Sequence, residues 1–114
     1  MADPEFQRTV RLSEVPRGQM RVCRIGEREI VLCHTREGVF ALSNVCTHAE
    51  ARMNEGRLRG LSLICPLHGA SFDVRDGRVL SAPATQSLPH HAVRVVDDFV
   101  EIAIDSTRNR STSP

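Results

Sequence analysis

Two short segments of this chain concentrate the residue types that bind metals. Cys46-Thr47-His48 is followed, after sixteen intervening residues, by Cys65-Pro66-Leu67-His68, so each segment pairs one thiol with one imidazole. Two Cys and two His is the donor count of a single tetrahedral zinc ion. A zinc finger would place its two Cys together and its two His together on a helix, and these four alternate instead. Alternation suits two metal ions held unequally. Cys46 and Cys65 on one iron, with His48 and His68 on the other, would make a [2Fe–2S] centre in which two imidazoles replace two thiolates. On the residues alone a structural zinc site stays open, and colour separates the two, because a zinc protein is colourless.

Charge shows what that replacement does. Two ferric ions, two sulfides and four thiolates carry a net charge of −2, whereas exchanging two thiolates for neutral imidazoles brings it to zero. An electron enters a neutral group more easily than a dianion, so the potential rises. An imidazole on ferric iron can also lose its second proton, so reduction should couple to protonation at high pH.

The elements that must position these segments read as short strands. Val10-Arg11-Leu12 alternates before the break at Val15-Pro16-Arg17-Gly18. Met20 to Ile25 and Glu29 to His34 flank Gly26-Glu27 as a hairpin, and Val39 to Leu42 follows Glu37-Gly38. Leu61 to Ile64 runs directly into Cys65, and Ser71 to Val74 and Arg78 to Leu80 flank Asp76-Gly77. Ala92 to Val96 and Phe99 to Ile104 flank Asp97-Asp98 as a second hairpin. No stretch keeps apolar residues at helical spacing over three turns, and the one helix candidate is Ala49 to Asn54. The pattern predicts an all-β sandwich or small barrel.

Composition narrows the function classes. The 114 residues make one domain, with 15 Lys plus Arg against 14 Asp plus Glu for a net charge of +1. A nucleic-acid binder would show a basic stripe, and with 4 Phe and no Trp or Tyr there is little to stack bases on. No apolar run approaches the roughly 20 residues that span a bilayer, and no signal segment opens the chain. A cytoplasmic location with reduced thiols is expected. Ala2-Asp3-Pro4-Glu5-Phe6 is what adjacent BamHI and EcoRI sites encode, so residues 1–6 read as a cloning remnant. Residues 106–114 hold no apolar side chain and are expected to be a disordered tail, leaving 7–105 as a single domain.

Cys46-Thr47-His48, the run Cys65-Pro66-Leu67-His68-Gly69-Ala70-Ser71-Phe72-Asp73, Gly77, Pro83-Ala84 and Leu88 together resemble the Rieske iron–sulfur proteins, over about Val39 to Ile104. The resemblance implies a Rieske-type fold with a base of strands from both ends of the chain and a cluster-binding subdomain at about 45–83. It implies one [2Fe–2S] cluster held by Cys46, His48, Cys65 and His68, with Gly69 letting the backbone approach the sulfides. Leu67 and Phe72 would form an apolar shell, and a proline loop near Pro83 would cover the cluster. It implies no catalytic residues.

Departures from the family pattern indicate the subfamily. Respiratory and photosynthetic members carry a disulfide between their ligand loops, but here Leu67 holds one of those positions and Ala49, Glu50 and Ala51 follow His48. Those members also supply Ser and Tyr hydroxyls to the cluster sulfurs where this chain has Ala70 and Phe72. Fewer donors destabilise the reduced state, so the potential is expected low in the Rieske range, toward about −150 mV. The remaining pattern resembles a soluble Rieske-type ferredoxin of bacterial aromatic-ring-hydroxylating dioxygenase systems. Such a protein is a monomeric electron carrier and not an enzyme, taking electrons from a flavin-dependent reductase to a terminal oxygenase through small, weak interfaces. The alternative is the Rieske-like small subunit of a nitrite reductase.

Other residues carry plainer readings. With Gly26-Glu27 as the turn, Cys23 lies opposite Ile30 and Cys33 opposite Met20, which excludes a bridge between them and makes both buried strand cysteines. His90-His91 reads as exposed loop before the last hairpin, and His34 as a surface residue. Arg52, Arg57 and Arg59 read either as a solvated face or as a surface for an acidic partner.

Overall fold

The computed structural model describes residues 5–45, 51–67, 69–82 and 86–104. Ten strands follow in chain order: β1 Gln7–Arg11, β2 Met20–Ile25, β3 Arg28–Thr35, β4 Gly38–Ser43, β5 Arg57–Arg59, β6 Ser62–Ile64, β7 Ser71–Asp73, β8 Val79–Ser81, β9 His90–Val96 and β10 Phe99–Ala103. The all-β expectation holds. One sheet has the order β1-β10-β9-β4-β3-β2, and its edge strands β1 and β2 approach each other, nearly closing a barrel. The second sheet, β5-β6-β7-β8, is smaller and leads into Cys65.

Turn chemistry sets the registers. Gly26 adopts φ +63° and closes the β2–β3 hairpin, pairing Ile25 with Arg28. Cys23 then faces Ile30 and Cys33 faces Met20, as expected, and neither cysteine is in a disulfide. At the other hairpin Asp97 and Asp98 both have positive φ, the conformation a two-residue turn needs when its twist matches the strands, with Val96 paired to Phe99. Leu12 donates its N–H to the Asp98 carbonyl at 2.7 Å, which ties β1 to this turn.

Strand β3 explains how the two sheets share a core. Ile30, Val31, Leu32 and Cys33 are all fully buried, a continuous run rather than an alternation. Ile30 and Leu32 pack with Val15, Ala41, Val100 and Ile102 inside the larger sheet. Val31 and Cys33 pack the other way, with Leu42, Leu63, Cys65, Phe72, Val74 and Leu88. The second cluster anchors the small sheet against the larger one.

Several local expectations are corrected. Within the described part of Ala49 to Asn54 there is no α-helix: Arg52 forms an isolated bridge to Val45, and Met53–Glu55 makes one 3-10 turn. Strand β5 was not expected, because three residues with one half-buried Leu58 between two exposed arginines give no pattern to read. His90 and His91 begin β9 instead of lying in a loop, pairing with Leu42 and Ala41, and His91 is buried. His34 is half-buried, and its Nδ1–H donates to the Val15 carbonyl at 2.6 Å, pinning the β1–β2 connection. Cys23 is only partly buried. Phe6 stacks beneath the Arg94 guanidinium, 4.2 Å from carbon to ring centre.

Ion pairs give the fold a pH dependence. The buried Asp73 carboxylate accepts hydrogen bonds from the Arg75 backbone N–H at 2.9 Å and from its guanidinium at 2.8 and 3.0 Å. Arg75 thereby holds the Asp73 carboxyl below its usual range; Arg52 does the same to Glu29, and Arg94 to Glu101. Groups with lowered folded-state values contribute stability that is complete above the unfolded range and disappears as pH falls through the folded values. The thermal midpoint is therefore expected to be level above about pH 6 and to fall steeply below about pH 4. Asp73→Asn should be less stable at neutral pH and show a shallower acid decline, which melts between those limits will test.

Candidate metal centre

Strand β6 carries the chain straight into Cys65. The hairpin from β6 to β7 pairs Ile64 with Ser71, and the Cys65 N–H donates to the Ala70 carbonyl at 2.7 Å. This closes a tight loop whose Gly69 has φ +73°, a conformation side chains disfavour. Cys65 and Ala70 are buried, while Leu67 at the loop's tip is 45% exposed. Gly56 abuts the base of the loop. A Cβ there would overlap the Ile64 carbonyl oxygen and press on the Pro66 ring, so only glycine lets the 3-10 turn approach.

The flanks of the first segment are held differently. Val45 pairs with Arg52, and the Asn44 carbonyl accepts the Met53 N–H at 2.6 Å. The buried Asn44 side chain accepts from the Asn54 N–H at 2.9 Å and donates to Glu29 at 3.2 Å and to Asn54 Oδ1 at 2.8 Å. Cys46 and His48 themselves, together with His68 and Pro83, lie outside the described residues.

The ends of the proline segment are also tied down. Ser71 and Ser81 share a hydroxyl–hydroxyl hydrogen bond of 2.7 Å where β8 leaves the sheet. On the far side, the Leu88 N–H donates to the Gly77 carbonyl at 2.8 Å. Cys65, Ala51, Met53, Ala70, Phe72 and Leu88 thus meet in one buried cluster. Phe72 is fully buried there, and it and Ala70 offer no hydroxyl. Leu67 does not join that cluster but reaches solvent. Asn44 and Gly56 were not singled out from the sequence. Asn44 stands two residues before Cys46, but its partners Glu29, Met53 and Asn54 are brought to it only by the fold.

Among the described residues no three metal-ligating side chains converge. The donor chemistry fits an iron–sulfur group: a buried thiol at a strand end, in a loop with a glycine at positive φ, shielded from water on its inner side.

The family model for the Rieske [2Fe-2S] domain matches residues 5–96. The chain belongs to the Rieske family. Its cofactor is accordingly one Rieske [2Fe–2S] cluster, and the zinc module falls away. The ferredoxin component of the naphthalene 1,2-dioxygenase system of Pseudomonas aeruginosa is 38% identical over 93 residues, 82% of this chain and 89% of that protein. The ferredoxin of carbazole 1,9a-dioxygenase from Nocardioides aromaticivorans IC177 superposes with a TM-score of 0.84 at 27% identity, covering 88% of this chain and 98% of that one. A chain in the complex of reduced oxygenase and oxidized ferredoxin in carbazole 1,9a-dioxygenase gives a TM-score of 0.81 at 28% identity, over 89% and 94%. A putative NADH-dependent nitrite reductase small subunit from Mycobacterium tuberculosis has a TM-score of 0.78 over 90% and 96%, but at 19% identity it shares the fold alone. No helix among the described residues is long and apolar enough to cross a membrane.

Proposed function

We propose that this Rieske protein is the one-electron carrier of an aromatic-ring-hydroxylating dioxygenase system. It takes electrons from a flavin-dependent reductase and delivers them to a terminal oxygenase. The observation that carries this reading is the 38% identity to a dioxygenase-system ferredoxin component over 82% of this chain and 89% of that protein. Cys46 and Cys65 hold one iron and His48 and His68 the other, within a domain of residues 7–105 whose cluster-binding part is about 45–83. When bound, such a cluster takes up and releases one electron.

The chain's own residues do the rest. The Cys65–Ala70 hairpin bond sets the second ligand segment, and Gly69 permits close backbone approach. Phe72, Met53 and Leu88 keep water from the inner side. Leu67, exposed beside His68, supplies an apolar contact at the point where a partner would dock. Ala70 and Phe72 have no hydroxyl to give, which supports a potential toward about −150 mV. A cytoplasmic monomer with small, rapidly exchanging interfaces suits such shuttling.

The test is direct electron transfer. Chemically reduced protein, mixed anaerobically with the oxidised terminal oxygenase of a naphthalene-type system, is expected to regain its oxidised spectrum as the oxygenase is reduced. Protein that stays reduced beside the oxygenase would contradict the assignment.

A further inference from the structure

The described flanks of the two ligand segments are held in different ways. The second lies in a hairpin, and the β6–β7 ladder registers its two ends through Ile64 and Ser71. The first is described only at its flanks, and among the described residues no such ladder joins them. Before it lies β4 and after it a 3-10 turn, and the bridge from Val45 to Arg52 joins these described flanks. Side chains reinforce that bridge.

Asn44 stands at the centre of that arrangement with all its hydrogen-bonding groups engaged. Its N–H donates to the Glu29 carbonyl at 2.9 Å, and its carbonyl accepts from the Met53 N–H at 2.6 Å. Its amide oxygen accepts from the Asn54 N–H, and its amide nitrogen donates to both Glu29 Oε1 and Asn54 Oδ1. Glu29 in turn receives a two-pronged bond from Arg52, Nε at 3.0 Å and Nη2 at 3.1 Å. The strand before the segment, the turn after it and β3 behind them are thereby fastened at one point. An exposed ion pair by itself would contribute little, but removing a fully buried amide takes a partner from Asn54 in the turn and from Glu29 on β3.

The geometry points to Asn44, supported by Glu29 and Arg52, as the positioning residue for the first ligand segment, fixing where Cys46 and His48 stand relative to Cys65. This rests on the electron-carrier reading, since it needs a cluster to position. Partners outside the ligand set commonly change metal retention 10- to 100-fold when removed. A residue serving stability alone would shift melting without altering the cluster's own spectrum.

The experiment uses the cluster-loaded protein, comparing wild type with Asn44→Ala, Arg52→Gln and, as control, Glu101→Gln. The control breaks a comparable carboxylate network with Arg8 and Arg94 elsewhere in the larger sheet. Two readouts are taken: the half-life of visible absorbance in excess chelator, and the electron paramagnetic resonance g-values of the reduced form. Asn44→Ala is expected to bleach about 10-fold faster with displaced g-values, and Arg52→Gln about 3-fold faster, while Glu101→Gln keeps wild-type g-values and bleaches only as its melting predicts. Unchanged g-values in Asn44→Ala, with bleaching that merely follows lost thermal stability as in the control, would overturn the proposal. If Asn44→Ala fails to fold, Arg52→Gln decides, because that side chain is 56% exposed and its loss leaves the core intact. A colourless wild-type protein would instead overturn the electron-carrier reading, and this inference with it.

Discussion

His68→Cys is expected either to prevent cluster assembly or to lower the midpoint potential by about 125 mV. The size follows from the contrast between the low Rieske limit near −150 mV and the roughly −400 mV of all-thiolate plant-type clusters, which differ by two such exchanges. Each exchange adds one negative charge to the cluster and so opposes entry of the electron. Voltammetry of the variant beside wild type reads the shift directly. A loaded variant with the wild-type potential would remove His68 from the ligand set.

Gly77→Ala should be the most damaging conservative change in the small sheet. Gly77 has φ +78°, and a Cβ would overlap the Leu88 carbonyl oxygen. Its own N–H and C=O are both in use, to Asp73 at 2.7 Å and from Leu88 at 2.8 Å, so the backbone cannot simply turn away. The left-handed conformation costs a non-glycine residue about 1–2 kcal/mol, and displacing buried Leu88 brings the total to about 3 kcal/mol. For a domain of this size that is a fall in melting temperature of roughly 10–20 °C. Gly60→Ala is the matched comparison, since Gly60 also has positive φ (59°) but has open space where a Cβ would go. Calorimetry showing equal losses for the two would contradict the close approach of Gly77 to Leu88.

Much of the fold was legible because local chemistry decides it. Gly26-Glu27 fixes the β2–β3 register residue by residue, down to Cys23 opposite Ile30. Asp97-Asp98 marks the last hairpin for the same reason. What escaped depends on remote partners. His91 looks like a polar loop residue until Ala41 pairs with it and draws it inside. Arg52 reads as a candidate docking charge, yet its guanidinium is committed to Glu29, 23 positions earlier in the chain. Strand β5 is visible only once β6 lies beside it. At the site, donor types and spacing announce a metal centre, whereas Asn44 and Gly56, which brace it, carry no local signal of that role.

The central claim is a Rieske cluster with two histidine ligands and few hydroxyl donors, in a protein that carries electrons. The midpoint potential measured against pH by voltammetry tests it most directly. A single one-electron wave is expected toward about −150 mV, level through neutral pH and falling only at high pH as the imidazoles lose protons. A strongly positive potential would contradict the reading of Ala70 and Phe72. A potential indifferent to alkaline pH would contradict histidine ligation, and no wave at all would remove the cluster.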